Sequence, residues 1–380
     1  MEKLDLFYSR ENCNIYHKGI ASEIPDRISQ PLLQRRVETL LGRRGLKASY
    51  NTGKSYMKSL FNAIDENKET TEKKHLNLML KHLSQMGFGA LKCLELDEKY
   101  INIRVINCFN AIPYGRKDKK TCFEMAGVLA ACGEVLTGEG MDCMETECIT
   151  QGAPFCEFHV FKHGIINKKN KTPHIINSQP KPKGNNLIKH NAFHDHLKGE
   201  TIFEDNPSII LPLGYMAHYQ RELESLLGEN TKAIEYILTK KSSMIAANSI
   251  KNKKISGYLH SPFNLLLRNM VQQSQRRGFG LPIIQEVNPN IPYLRLIVKN
   301  SFNAYGYNKT KKPVCYRMAA LCAGYGTVLF NRNMDCVETK CKAMGDPYCE
   351  FRVYVNPHRR TQSGRSHKTS IQQMATLASV

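Results

Sequence analysis

The chain has 380 residues, 41% of them hydrophobic, and a formal net charge of +20. This length predicts two or three domains of ordinary size. Its longest apolar runs are far shorter than the roughly 20 residues that cross a bilayer. The first ten residues also lack the apolar core of a signal peptide, so we expect a cytoplasmic protein. Thirteen cysteines in a reducing compartment indicate metal binding more than disulfides.

The first predicted elements are helices. Residues 34–46 and 75–86 place Leu and Met at a helical period. Two strand-like runs follow, 90–96 and 101–108, joined by a polar turn. A helix rich in Ala and Gly is predicted over 122–136.

Two further strands are predicted next, at 141–149 and 155–161, with Gly152-Ala153-Pro154 in the turn between them. Helices, a hairpin, a helix and a second hairpin form an α+β pattern, with the helices packed on an antiparallel sheet of two hairpins.

The same order recurs in the second half of the chain. Phe109-Asn110-Ala111 matches Phe302-Asn303-Ala304, and Cys156-Glu157-Phe158 matches Cys349-Glu350-Phe351, both at an offset of 193 positions. Further upstream the offset falls to 191 and then to 186. The sequence therefore predicts one α+β domain used twice, with small insertions in its first half.

The repeat sets the predicted domain boundaries. The first copy covers residues 1–163, a basic linker 164–191, the second copy 192–356 and a basic disordered tail 357–380. About half of the excess charge falls outside the probable cores, because residues 162–200 carry a net +6 and residues 356–380 a net +4. A solvated linker and tail are one interpretation of this charge, and attraction to nucleic acid or anionic lipid is the other.

Metal-donor residues recur in register within the repeat. Both sets have steps of 23, 3 and 8 residues and comprise Cys122, Glu145, Cys148 and Cys156, then Cys315, Glu338, Cys341 and Cys349. Thiolates with a carboxylate as fourth ligand suit tetrahedral zinc, so we predict two structural zinc ions. Such a site is closed, with no open position for water or substrate. The residues alone leave Cys143 and Cys336 open as ligands instead of the glutamates, because strand residues two apart share a face.

The motif around these residues resembles a known family. The stretches Asp142-Cys143-Met144-Glu145-Thr146-Glu147-Cys148 and Asp335-Cys336-Val337-Glu338-Thr339-Lys340-Cys341, each with its flanking cysteines, resemble the 4-vinyl reductase domain. That family includes zinc-containing sensor domains of bacterial activators that detect phenol-like aromatics. The resemblance favours Glu145 and Glu338 as ligands. It implies a hydrophobic pocket between the helices and the metal-bearing sheet, and pairing of the copies within the chain or between chains.

Six aromatic residues recur between the copies and are candidates for lining that pocket, with ordinary core packing as the alternative. They are Phe88, Phe109, Tyr114, Phe279, Phe302 and Tyr307. The chain lacks Trp, so a ligand-contacting Trp cannot be transferred from the sensors.

Three functions are compatible with these patterns. The favoured one is a zinc-stabilised sensor or regulatory protein that binds a hydrophobic or aromatic small molecule and contacts a protein partner. The first alternative is an enzyme or accessory factor acting on vinyl groups of tetrapyrroles, although we find no nicotinamide- or flavin-binding motif. The second is a basic regulator associated with nucleic acid. An enzyme is the less favoured class, because a closed metal site and a duplication suit binding better than chemistry.

Overall fold

A computed structural model describes the chain except for residues 10–14, 19, 28, 65–70, 164–186, 253–262, 308 and 357–380. Most of the predicted linker and the whole predicted tail lie outside the described residues. In the part that is described, no helix is both long and apolar enough to span a membrane.

Each copy begins with short strands, continues with three helices, and ends with two hairpins that flank a fourth helix. The strands of the first copy are β1 (Glu2–Lys3), β2 (Leu6–Ser9), β3 (Ile15–His17), β4 (Ile20–Glu23), β5 (Ala90–Leu96), β6 (Tyr100–Ile106), β7 (Met141–Glu147) and β8 (Cys156–Lys162). Its helices are α1 (Ser29–Leu41), α2 (Arg43–Ile64), α3 (Glu72–Gln85) and α4 (Phe123–Thr137).

The second copy repeats this order. Its strands are β9 (Leu187–Lys189), β10 (Ala192–Asp195), β11 (Glu200–Phe203), β12 (Asn206–Ser208), β13 (Leu211–Pro212), β14 (Leu281–Asn288), β15 (Tyr293–Lys299), β16 (Met334–Lys340) and β17 (Cys349–Val355). Its helices are α5 (Tyr215–Leu227), α6 (Asn230–Asn252), α7 (Phe263–Arg276) and α8 (Tyr316–Phe330).

The two predicted hairpins of each copy form one antiparallel sheet, as the sequence predicts. The strand order is β5-β6-β8-β7 in the first copy and β14-β15-β17-β16 in the second. Along β6, Ile101, Ile103 and Val105 are buried and alternate with partly exposed residues, so one face of the sheet packs on the core. A bulge interrupts the register of β7 between Glu145 and Glu147, and an equivalent bulge interrupts β16.

Small residues allow the fourth helix to lie close to both the sheet and the long second helix. A Cβ added at Gly127 of α4 would overlap the carbonyl oxygen of Tyr50 in α2. A Cβ added at Gly133 would lie 2.8 Å from a methyl carbon of Val160 in β8. The Ala- and Gly-rich composition of this helix is therefore a packing requirement on both of its sides.

Short strands near the start of each copy pair with strands of the other copy. β1 pairs with β10 of the second copy, while β9 pairs with β2 of the first. β13 of the second copy also pairs with β4 of the first. The N-terminal sheets, ordered β1-β10-β11-β12 and β13-β4-β3-β2-β9, therefore each contain strands of both copies.

Three sequence-based assignments differ from the structure. The first half of each copy is not purely helical, because short strands precede the helices; with two to four residues each, they carry too little periodic signal to be recognised. The single helix predicted at 34–46 is divided between α1 and α2, and α2 continues to Ile64. Finally, residues near the end of the predicted linker form β9.

Candidate metal centre

Three elements of each copy bring the predicted donor residues together. Cys122 immediately precedes α4, Glu145 lies on β7, and Cys156 is the first residue of β8. Cys148 follows β7 and begins a single 3₁₀ turn that ends at Gly152, whose φ of 97° favours glycine. This turn reverses the chain, so Cys148 and Cys156 face the same point.

The sulfur positions suit a tetrahedral ion. Cys122 Sγ lies 4.0 Å from Cys148 Sγ and 3.7 Å from Cys156 Sγ. In the second copy, Cys315 Sγ lies 3.9 Å from Cys341 Sγ and 3.5 Å from Cys349 Sγ. Zinc–sulfur bonds of about 2.3 Å in a tetrahedron place neighbouring sulfurs about 3.8 Å apart. In each copy the four donor atoms lie within 4.8 Å of one another, so both clusters could hold a metal ion.

Each glutamate is oriented by backbone and leaves one oxygen for an ion. Glu145 Oε2 accepts hydrogen bonds from the backbone N–H groups of Thr121 (3.1 Å) and Cys122 (3.0 Å). Glu338 Oε2 accepts one from Cys315 N–H at 2.9 Å. The Oε1 atoms of both glutamates are buried without a hydrogen-bond partner. A buried carboxylate oxygen without a partner is costly, and a cation would satisfy it.

Burial favours the protonated forms of both glutamates and of the cysteine that precedes the fourth helix in each copy. It raises the pKa of Glu145 and that of Glu338 to about 8. It also raises the pKa values of the Cys122 and Cys315 thiols well above their ordinary value. Since the cysteines are fully buried, four negative charges at one point need a compensating cation. The donor set therefore fits a metal ion that displaces protons as it binds.

The alternative ligands Cys143 and Cys336 lie outside the two donor groups. The Sγ atom of each contacts the carbonyl oxygen of the following residue. Both thiols are buried on the inner face of the sheet, so their recurrence has a packing explanation.

Beside each cluster lies a residue that sequence reasoning missed. Cys108 Sγ donates to Cys122 Sγ at 3.6 Å, and Ser301 Oγ donates to Cys315 Sγ at the same distance. The two positions correspond in the repeat, but the residue type differs. A search restricted to identical residues overlooks this pair.

A narrow apolar cavity lies in the second copy, between α7, α8 and the sheet. Its volume is about 50 Å³. The residues that line it include Leu267, Val271, Ser274, Phe279, Pro282 and Met318.

Of the six predicted aromatic residues, Phe279 lines this cavity. Phe302 packs against Phe279 with ring centroids 5.1 Å apart, and Phe88 packs edge-on against Phe109 at 4.7 Å. The tyrosines anchor helices. Gln34 of α1 donates to Tyr114 Oη at 2.9 Å, and Gln220 of α5 donates to Tyr307 Oη at 2.8 Å.

The first copy has larger side chains at three of the corresponding positions. Leu80, Leu83 and Leu91 occupy the repeat positions of Val271, Ser274 and Pro282, at an offset of 191. Leu80 and Leu83 are buried, and so is Phe88, the counterpart of Phe279. Val271 and Ser274 of α7 are therefore smaller than the leucines at the equivalent positions of the first copy.

The structure also brings Ser55 of α2 and His218 of α5 together across the two copies, with Oγ and Nε2 2.7 Å apart. Arg221 approaches the other ring nitrogen, Nδ1, at 3.4 Å. Because a guanidinium only donates, Nδ1 accepts and the ring proton is on Nε2. His218 therefore donates to Ser55, which is opposite to the direction that a general base requires.

Comparison with known families matches this architecture. The model of the 4-vinyl reductase domain matches residues 101–162 and again residues 294–355. The chain therefore has two matches to this domain family in tandem. Each matched segment runs from the second strand of the C-terminal sheet to its last, and contains all four donor residues of its copy.

Two curated relatives, both described as uncharacterised proteins, match parts of this chain. One protein of Methanocaldococcus jannaschii is 29% identical over 90 residues, which are 24% of this chain and 51% of that protein. Another from the same organism is 32% identical over 78 residues, 20% of this chain and 32% of that protein. The matches thus span about half or less of these relatives.

Similar solved structures each match less than half of the chain. The phenol-responsive sensory domain of the transcription activator PoxR, crystallised with phenol, is 19% identical, with a TM-score of 0.36, over 41% of this chain and 80% of that domain. A vinyl-4-reductase family protein from M. jannaschii is 25% identical, with a TM-score of 0.24, over 30% of this chain and 68% of that protein. A trafficking protein particle complex subunit 3 from Naegleria fowleri, covalently bound to palmitic acid, is 13% identical, with a TM-score of 0.30, over 39% and 96%.

Proposed function

We propose that this tandem 4-vinyl reductase domain protein is a zinc-stabilised sensor of small hydrophobic molecules, and that the second copy holds the ligand. The observation that carries the proposal is the apolar cavity beneath α7, where the first copy has larger leucine side chains. The two domains have equivalent metal-donor clusters, but the side chains beside the third helix differ in size. This difference suits a protein in which the second copy binds the ligand and the first copy has a supporting structural role.

The metal assignment follows from donor chemistry. Three thiolates and one carboxylate are a ligand set that zinc accepts readily, whereas magnesium and calcium prefer oxygen alone. Four protein donors in a buried cluster leave no position for substrate. The ion would therefore hold the hairpin against the start of the fourth helix, which is a structural role.

Ligand entry requires α7 to move. A cavity of about 50 Å³ is smaller than the roughly 150 Å³ apolar cavity that holds benzene in an engineered protein. Val271 and Ser274 of the lining are only partly buried, so this side of the cavity is thin. A ligand the size of an aromatic ring would therefore displace α7 outward from α8 and the sheet.

Contacts at the C-terminal end of α7 provide a route for the signal. Gln275 Nε2 donates to Tyr8 Oη of β2 at 2.5 Å. Arg277 lies just after the helix, and its backbone N–H donates a hydrogen bond within its own copy. Its carbonyl oxygen accepts a hydrogen bond from Ile24 N–H of the first copy at 2.8 Å. Movement of α7 would therefore shift the N-terminal sheet that both copies share, and a partner that prefers one arrangement would read the ligand.

Calorimetric titration of the zinc-loaded chain with phenol and with alkylphenols tests this proposal. We expect binding of one molecule per chain. Ser274→Leu, which introduces the residue of the first copy, should fill the cavity and abolish binding. The matched control is Arg268→Leu, which adds the same side chain at an exposed position of α7. Absence of binding, or equal binding by Ser274→Leu and the wild type, would refute the proposed ligand site.

A further inference from the structure

The two metal clusters differ at one atom. Cys108 is fully buried and its Sγ lies 3.6 Å from Cys122 Sγ, whereas Ser301 places an Oγ at that distance from Cys315 Sγ. The first copy therefore has a fourth thiol beside its cluster of three thiols and a carboxylate, and the second copy has a hydroxyl in that place.

The surrounding backbone is the same in both copies, so the difference is chemical. The preceding residues, Asn107 and Asn300, both have a left-handed backbone, with φ values of 55° and 53°. Asn110 Oδ1 accepts a hydrogen bond from Met125 N–H at 2.7 Å, and Asn303 Oδ1 accepts the equivalent bond from Met318 N–H at 2.9 Å. These contacts tie each loop to the first turn of α4 or α8, next to the cluster.

We propose that Cys108 is a reserve metal ligand that gives the first copy a four-thiolate site when Glu145 leaves the ion. The inference rests on the proposed metal binding. A thiol can ligate zinc as a thiolate, whereas a serine hydroxyl is not among its usual ligands. The second copy therefore depends on Glu338, and the first copy does not depend on Glu145.

The exchange balances in charge. The Glu145 carboxylate leaves the ion and takes the proton of the Cys108 thiol, while the resulting Cys108 thiolate binds the ion. Three thiolates with a carboxylate and four thiolates both give a formal charge of −2 with a divalent ion, so no net charge is added to the buried site. The hydrogen bonds from the Thr121 and Cys122 N–H groups end on Oε2 of Glu145, so Oε1 can take the proton while those bonds remain.

The exchange also alters which ions the first copy prefers. A fourth thiolate makes a site softer, because thiolates select thiophilic metals and carboxylates select harder ones. The first copy would therefore retain a thiophilic ion such as Cd²⁺ against Zn²⁺ more strongly than the second copy does.

Native mass spectrometry of the full chain, refolded or purified with zinc, tests the inference through metal content. We expect two ions in the wild type, two in Glu145→Gln and one in Glu338→Gln. Adding Cys108→Ser to Glu145→Gln should reduce the content to one ion. Adding Ser301→Cys to Glu338→Gln should restore two, which a variant that simply fails to fold cannot do.

Substitution with Co²⁺ gives a second readout. The thiolate-to-cobalt charge-transfer absorption should rise in Glu145→Gln and fall again when Cys108→Ser is added. One ion in Glu145→Gln, or two ions in the Glu145→Gln, Cys108→Ser double variant, would overturn the role of Cys108 alone. A wild-type chain that binds no ion would refute the metal centres themselves, and the two failures are therefore distinguishable.

Discussion

Tyr215, the first residue of α5, donates a hydrogen bond of 2.6 Å to Glu124 Oε1 in α4, and both side chains are fully buried. The bond joins the two copies within the buried core. Glu124 also accepts longer bonds from Gln30 and Asn110. Because the tyrosine belongs to the second copy and the carboxyl group to the first, folding of each copy is coupled to that of the other.

Replacing Tyr215 by Phe should therefore destabilise the whole chain. Loss of the shortest hydrogen bond to a buried carboxyl group lowers the free energy of unfolding by about 1.5–3 kcal/mol. The midpoint of urea unfolding measures this loss. The control is Tyr100→Phe, which removes a 2.6 Å bond to Glu95 on the surface and should cost well under 1 kcal/mol. Equal effects of the two substitutions would contradict a coupling role for the buried bond.

Each metal cluster should lose its ion when a cysteine on its reversing turn is replaced. Cys148→Ser should release one ion and destabilise the first copy, and Cys341→Ser should do the same in the second. Metal content by mass spectrometry and thermal unfolding with and without a chelator measure both effects. Unchanged zinc content in both variants would refute the donor assignment.

Gly199 packs against the first copy without room for a side chain. A Cβ there would overlap the carbonyl carbon of Gly89 and the nitrogen of Ala90. Gly199→Ala should therefore destabilise the chain by several kcal/mol, on the order of the cost of core overpacking or more.

Gly228 is the matched control for this substitution. Its φ of 57° is close to the 59° of Gly199, but a Cβ there would have open space around it. Gly228→Ala should cost only the backbone strain, about 1–3 kcal/mol. Denaturant unfolding of the two variants separates close packing between copies from φ strain, and similar losses would exclude the packing explanation.

His17 and His82 form a buried stack with ring centroids 5.4 Å apart. Burial, aided by Lys18, lowers the pKa of His17 to about 4, and burial lowers the pKa of His82 well below its usual value. Below about pH 6.5 these two histidines are protonated in the unfolded chain but remain neutral in the folded chain until the pH is much lower. Stability should therefore fall as the pH drops from about 6.5 to about 4, with His17 contributing roughly 3 kcal/mol of that loss.

The substitution His17→Phe tests this dependence, because Phe203 occupies the corresponding position of the second copy. The free energy of unfolding should fall less steeply with decreasing pH in the variant than in the wild type. Parallel pH profiles of the two proteins would exclude His17 as a source of the acid sensitivity.

The sequence predicted the parts of the fold that have strong local signals. The first hairpin strand of the first copy, at 90–96, agrees with β5 at both ends, and the helix predicted at 122–136 differs from α4 by one residue at each end. The repeat made the metal pattern visible, since two sets of four donors in register leave little room for coincidence. The choice of Glu145 over Cys143, by contrast, needed the resemblance to a family.

By itself, then, the sequence determined a duplicated α+β domain with a metal-donor set in each copy, because hydrophobic periodicity, turn residues and repeat spacing are local properties. Tertiary structure alone decided how the copies interlock, since pairing of β1 with β10 and of β9 with β2 depends on backbone hydrogen bonds between distant segments. It also decided that Cys108 lies beside the cluster and that space opens under α7 in one copy. Both depend on contacts between side chains of different helices and strands, and the spacing of residues along the chain does not reveal such contacts.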